Sequence, residues 1–455
     1  MTRLLRMTAL LLSLMMMASA LTSCDLLDRV RQHFSPKTDT VRGIPEDNDL
    51  EYVTLDSTEY VYSSYYAPVK PNHSYDMLSE GQQALYDALY NNVRDVYPDS
   101  DEDSDDELYK TRQAIVDGYV LSTADIRIAA KALYDDNPDL FWLSGTVYQL
   151  TNQYEDYTAV QMRSIYSPEE IKSMQEAINL AANTFYAKIP AGLSPYDREK
   201  YAHDYIAGLC EYDKEAAKVH NSDDRVEEAY IVYGALVKGQ AVCEGYARTM
   251  QLLLCGVGVD CVGITGIGYD SDGSNDLHMW NAVSLDDDWY YVDPTWDDQL
   301  YDYRRYQYFN LDESTLAKDH ECSPALADFS EEDLDDDTNF DSVALNLFLP
   351  ECTATAYAYY RYECPHLTDY DGTEVKEGLY LAALEQQEYF TFYIDPETLD
   401  YDETIDVMFK ESPQYFFQYA EAVNEWLSDY EIDNSNMSYY PNEDRSAVTV
   451  MLNYY

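Results

Sequence analysis

Residues 277–296, LHMWNAVSLDDDWYYVDPTW, place two β-prone runs on either side of an aspartate-rich break. The pattern predicts a β-hairpin with a tight turn. Side chains alternate with period two along a strand, so an even-length turn decides which residues share a face. With Asp286 and Asp287 at the tip, Leu285 pairs with Asp288, His278 faces Thr295, and Asp293 is the diagonal neighbour of His278. Moving the tip to Leu285 and Asp286 sets His278 directly opposite Asp293. Either register joins an imidazole to a carboxylate; an odd turn would separate them.

Upstream, KGQAVCEGYARTM at 238–250 leads a glycine-bearing loop into a helix. Ala247, Met250, Leu253 and Leu254 fall on one helical face, and Gly256 suits the helix end. Cys243 then stands at the N-terminus, where unpaired N–H groups and the positive end of the dipole favour a thiolate and can meet an oxyanion. Gly239 gives the loop freedom to bend sharply before it. A cysteine nucleophile also needs an imidazole and a group that orients it. His278 is the better imidazole, with His203, His220 and His320 as weaker candidates. Asp293 then holds one ring nitrogen and leaves the other for Cys243 Sγ, the orienting arrangement of a triad.

The stretches YGALVKGQAVCEGYA, HMWNAVSLDDDWYYVDPTWDD and YQYFNLDES resemble the transglutaminase-like superfamily, in its bacterial surface-protein branch. YAHDYIAGLCEYD resembles the helix that precedes the core in that branch, and YDDNPDLFWLSG its N-terminal accompaniment, so the likeness spans roughly residues 130 to 325. The resemblance implies an α+β, papain-like core in which a helix carrying Cys243 packs on an antiparallel sheet carrying His278 and Asp293. Cys243 would be the nucleophile, His278 base and then acid, and Asp293 the orienter. Some members complete the oxyanion hole with an upstream side chain; Gln240, three residues before Cys243, is the candidate here. The animal crosslinking enzymes have Gly-Gln-Cys-Trp around the nucleophile, whereas this chain has Val242-Cys243-Glu244-Gly245. That departure bears on crosslinking specificity and leaves the thiol chemistry untouched. His203 resembles the histidine of the upstream helix, with a packing or capping role.

The formal net charge of -57, from 29 Lys and Arg against 86 Asp and Glu, excludes a nucleic-acid partner, because phosphate contacts need clustered cations. The acidic run DSDEDSDDE at 99–107 has Ser104 and Lys110 where a calcium loop needs glycine and glutamate, so it reads as a solvated loop. The first residues, MTRLLRMTALLLSLMMMASALTSC, carry Arg3 and Arg6, an apolar run and small residues before Cys24. This is the anatomy of an export signal. Leu21-Thr22-Ser23-Cys24 resembles a lipoprotein lipobox, which implies acylation of Cys24 and a membrane tether; an ordinary signal cleaved at ASA or an uncleaved anchor are the alternatives. Setting Cys24 aside, seven cysteines remain. With Cys243 free, the other six form three disulfides or stay reduced. No Cys/His spacing of a metal site appears, and neither metal nor cofactor is expected.

The expected organisation is a signal peptide at 1–23, a polar spacer at 24–71, a mainly helical N-terminal region at 72–192, the catalytic core at 193–342 and a small α+β C-terminal domain at 343–455. Leu85, Leu89, Val93 and Val96 are spaced for a helix, and Ser167-Pro168-Glu169-Glu170 starts another that runs through Ile189. The expected function is amide acyl transfer through a cysteine thioester on extracytoplasmic protein or peptide substrates, cell-wall peptides among them. Water as acceptor makes a peptidase or amidase, an amine a transglutaminase. The alternative is a non-catalytic surface binding module or adhesin that keeps the fold.

Overall fold

Serine followed by proline starts two helices that lead into the core. Ser167 and Ser194 each accept a bond from the backbone N–H three residues on, and Glu170 and Asp197 return it to the serine N–H. These capping boxes satisfy donors that a bare helix start leaves unpaired. A computed structural model describes residues 51–57, 60–70, 72–99, 108–150, 157–218, 228–270, 273–300, 304–328 and 345–455. Cys24, the export signal, most of the spacer, most of the acidic run at 99–107 and His220 lie outside the described residues. The described chain divides into two units. The first takes in Trp289 and all described residues before it, Asp293–Thr295 and Ala317–Glu351; the second holds Tyr290–Val292, Trp296–Leu316 and Cys352–Tyr455.

In the first unit, helices α1 (Glu80–Asn92) and α2 (Thr123–Asp136) accompany a six-stranded sheet. Its strands are β1 (Val53–Thr54), β2 (Asp95–Asp99), β3 (Leu108–Thr111), β4 (Ala114–Asp117), β5 (Leu143–Leu150) and β6 (Tyr157–Ser164). Strand β6 pairs antiparallel with β5 and also with β3 and β4. The region expected to be mainly helical therefore holds a sheet as well. Leu85, Leu89, Val93 and Val96 are all fully buried, but the helix stops at Asn92 and Val96 belongs to β2. The three-residue interval from Val93 to Val96 fits a helix by coincidence, and Pro98 two residues on bars one.

Helices α3 (Pro168–Lys188) and α4 (Pro195–Leu209) follow, and then the core. Here β7 (Glu211–Tyr212) runs parallel to β8 (Gln240–Ala241), and α5 spans Cys243–Gly256. Next come β9 (Cys261–Tyr269), β10 (Asn275–Leu285), β11 (Asp288–Val292) and β12 (His320–Cys322), in the sheet order β11-β10-β9-β12. Asp286 and Asp287 form the two-residue tip, both with positive φ (52° and 71°), the backbone of a type I′ turn. Asn346 locks β9 in place: it accepts from Thr265 N at 2.9 Å and donates to the carbonyls of Thr265 and Ser323 at 3.0 and 2.9 Å. That contact ties Leu345–Leu347, at the start of the expected C-terminal segment, into the first unit.

The second unit is α+β. Its sheet, in the order β13-β14-β16-β15, contains β13 (His366–Leu367), β14 (Tyr389–Ile394), β15 (Ser438–Asn442) and β16 (Ala447–Met451). Helices α6 (Thr373–Leu384) and α7 (Tyr415–Asn424) close a core that contains Phe390, Phe392, Phe416, Val448 and Val450. No helix among the described residues is long and apolar enough to cross a membrane.

Candidate active site

Gly239 has φ +69°, so the chain reverses there in a left-handed turn, and its carbonyl accepts from Glu211 N at 2.9 Å. A side chain at this position would strain the turn. The reversal delivers Val242 as the residue before α5, and no side chain caps the helix start. The N-terminal N–H groups are therefore left for another acceptor.

Ala247, Met250, Leu253 and Leu254 are fully buried, as the helical spacing requires, but so is nearly all of α5. Its charged residues, Glu244 and Arg248, are paired inside. Arg248 Nε donates to Glu244 Oε1 at 2.7 Å and Arg248 Nη1 to the Tyr134 carbonyl at 3.1 Å, while Tyr134 Oη donates to Glu244 at 3.2 Å. The Arg248 guanidinium also lies 3.6 Å from the centre of the Tyr134 ring. Glu244, the departure after the cysteine, is thus an inward-bonded residue that joins α5 to α2.

The structure brings Cys243, His278 and Asp293 together. Cys243 is half-buried. The His278 ring is its neighbour, near enough for the sulfur to strengthen the hold of the imidazole on a proton. His278 Nε2 donates to Asp293 Oδ2 at 2.6 Å, which leaves Nδ1 for the sulfur. Asp293 follows β11 and is fully buried; its other oxygen accepts from Thr295 N at 2.9 Å, which fixes the carboxylate plane. Asn281, on the same strand as His278, donates to the Ala247 carbonyl at 2.9 Å and holds β10 against α5.

Burial opposes charge on His278, but Asp293 and then the Cys243 sulfur outweigh it and lift the imidazole to about 10. Burial likewise works against charge on Asp293, yet His278 and then His320 hold it far below the usual carboxylate range. Trp280 is fully buried and stacks on His278, with ring centres 5.9 Å apart, so it walls the imidazole from water. Trp289 packs instead on His73 and Phe348, and Trp296 on Tyr308.

Two residues enter that the sequence reading ranked low or passed over. His320, at the start of β12, places Nε2 3.2 Å from Asp293 Oδ2. Tyr212 pairs with Ala241 across the parallel bridge and packs on Val242, and its hydroxyl is raised by burial and then by the neighbouring Cys243 sulfur. Gln240 is exposed on β8, its backbone paired with Glu211. His203 is fully buried in α4, with Nδ1 3.5 Å from Asp204 Oδ1. None of the seven described cysteines is joined in a disulfide, which corresponds to the reduced alternative. His278, Asp293 and His320 present ligand-type atoms within 4.8 Å of one another, but carboxylate–imidazole bonds already occupy them.

Residues 184–294 match the family model of the Transglutaminase-like superfamily. Kyphoscoliosis peptidase of Mus musculus is 32% identical over 117 residues, which cover 24% of this chain and 17% of that protein. A crystal structure of a TGase is similar over 33% of this chain and 44% of its own, at 17% identity and a TM-score of 0.23. A proposed cysteine protease of Cytophaga hutchinsonii is similar over 33% and 61%, at 13% identity and a TM-score of 0.20. The chain thus spans less than two thirds of each of these relatives.

Proposed function

We propose that this chain, which carries a transglutaminase-like domain matched over residues 184–294, is a thiol enzyme that transfers acyl groups from amides through a Cys243 thioester. The observation that supports it most is the convergence of Cys243 and His278 beside a sealed Asp293, which His278 Nε2 meets at 2.6 Å. The thiolate is the form of a cysteine that attacks carbon, and His278 is the group placed to take the proton from Cys243 in this scheme.

Cys243 Sγ attacks the amide carbonyl carbon, and the C=O electrons move onto oxygen. The uncapped N–H groups at the start of α5 lie where that oxyanion develops, and Gln240 is a second donor in this scheme. The C–N bond then breaks as His278 gives its proton to the departing nitrogen, leaving a thioester and a neutral imidazole. Water or an amine next attacks the thioester, gives a proton to His278, and releases an acid or a new amide with the thiolate restored. Asp293 holds the ring through both halves and stabilises the imidazolium.

The substrates in this proposal are proteins or peptides outside the cytoplasm, cell-wall peptides among them. The chain would be tethered at a bacterial cell surface by acylation of Cys24, a reading supported by Arg3, Arg6, the apolar run and the lipobox-like ending.

Iodoacetamide labelling at mildly acidic pH tests the chemistry. Fast alkylation confined to Cys243 and lost in His278→Ala supports it; reaction no faster than that of an ordinary thiol overturns it and leaves a binding module. Incubation with a casein-like protein, with and without a labelled primary amine, then separates cleavage, deamidation and amine incorporation by their mass changes.

A further inference from the structure

Asp293 serves a second imidazole besides His278. His320 pairs with Gly268 across β12 and β9, its side chain fully sealed from solvent. Nε2 lies 3.2 Å from Asp293 Oδ2, and Nδ1 lies 2.7 Å from Asp319 Oδ1. Among the described residues, the charged and titratable groups that act on it include these two aspartates and His278, whose ring centre is 5.5 Å away. Trp280 packs nearly perpendicular to it at 5.0 Å and keeps water out.

An ionised carboxylate only accepts hydrogen bonds, so a ring nitrogen facing one must carry a proton. Asp293 already takes a proton-bearing nitrogen from His278 and a backbone N–H from Thr295. A neutral imidazole has a single N–H and satisfies one of two flanking carboxylates. His320 has a carboxylate at each nitrogen and a side chain sealed from solvent, and a lone pair turned on Asp293 would be repelled in a low-dielectric pocket. We infer that His320 is a positioning residue held as an imidazolium, a cationic bridge from Asp319 to Asp293 that clamps the carboxylate used by His278. The inference rests on the reading of Cys243, His278 and Asp293 given above.

Its consequence is a tuned base. With only His278 beside it, a buried Asp293 would hold the His278 proton more tightly and weaken His278 as the acid toward a leaving nitrogen. The charge on His320 offsets part of that pull.

The test uses the full chain labelled with 15N-histidine, with the His320 signals assigned by their loss in His320→Gln. Glutamine keeps an N–H donor directed at Asp293 and removes the charge; Asp319→Asn, at a half-exposed position, is the milder second variant, and both are compared at matched thermal stability. Two protonated ring nitrogens on His320 from pH 6 to 8 are expected. The basic limb of the Cys243 alkylation profile should rise by about one pH unit in His320→Gln, with a smaller rise in Asp319→Asn. A single-tautomer neutral His320 in that range, or a His320→Gln profile superimposed on the wild type, overturns the inference. A doubly protonated His320 beside an inert wild-type Cys243 would instead sink the catalytic reading, and the positioning role with it.

Discussion

His278 and Asp293 stand 15 residues apart in the chain, and their side chains meet at 2.6 Å between Nε2 and Oδ2. The two-residue turn at Asp286 and Asp287 makes this possible, because it preserves the parity of the strands that flank it. Replacing Asp293 with asparagine keeps the size of the side chain and removes the charge that holds His278 in one tautomer. The alkylation rate of Cys243 is expected to fall by roughly 10²–10⁴ in Asp293→Asn, at the scale seen when a triad acid is neutralised or a general base is lost. Second-order rate constants for iodoacetamide at fixed pH check this.

The raised affinity of His278 for its proton also sets a stability window. An ordinary histidine titrates near 6.5 in the unfolded chain and this one near 10 when folded, so its contribution is complete below about pH 6.5 and is lost as pH rises through about 10. Asp293 works in the opposite sense: its contribution is present above about pH 3.9 and fades as pH falls toward its depressed folded value. Thermal melts from pH 6 to 10.5 should therefore fall more steeply for the wild type than for His278→Gln. Parallel curves would contradict the assignment.

Glu244 and Arg248 form a buried pair, and removing one partner strands the other in a dry interior. Glu244→Ala is expected to cost about 3–5 kcal/mol in urea denaturation. Replacing both residues with apolar side chains of similar volume should recover much of that loss.

Gly266 stands opposite His278 in β9, and a Cβ there would meet the Trp280 ring and the Glu321 carbonyl. Gly266→Ala is expected to destabilise the fold by about 1–3 kcal/mol. It should also slow Cys243 alkylation, because the displaced indole is the wall against which His278 stacks. Calorimetry and the alkylation rate check the two effects separately.

In the proposed oxyanion site the backbone of α5 is the main donor and Gln240 a minor one. A fall of about 10²–10³ in turnover in Gln240→Ala would assign a donor to that side chain. Its exposed position on β8 leads us to expect a fall smaller than tenfold, with the helix N–H groups carrying most of the stabilisation. Turnover of a peptide amide measures this once a substrate is in hand.

The meeting of Cys243, His278 and Asp293 was legible because each depends on short-range rules: a helix start after a left-handed glycine, and a hairpin whose parity follows from a two-residue tip. His320 was not, because β12 has three residues, too few to show a period, and its register against β9 is set by long-range packing. Tyr212 comes beside Val242 through a parallel bridge across an interval of about thirty residues, which no local pattern encodes. The N-terminal sheet hid for a related reason: β2, β3 and β4 are four or five residues long, and the buried valines at 93 and 96 imitate helical spacing.

The inward turn of Glu244 and Arg248 has a practical corollary for anyone seeking the smallest active fragment. The stretch matched to the superfamily begins at residue 184, whereas the carbonyl, ring and hydroxyl that complete the arginine's surroundings all come from Tyr134. A chain trimmed at 184 would leave a guanidinium in the middle of the nucleophile helix short of partners. Such a fragment should express as insoluble material even though all three residues of the proposed chemistry are present.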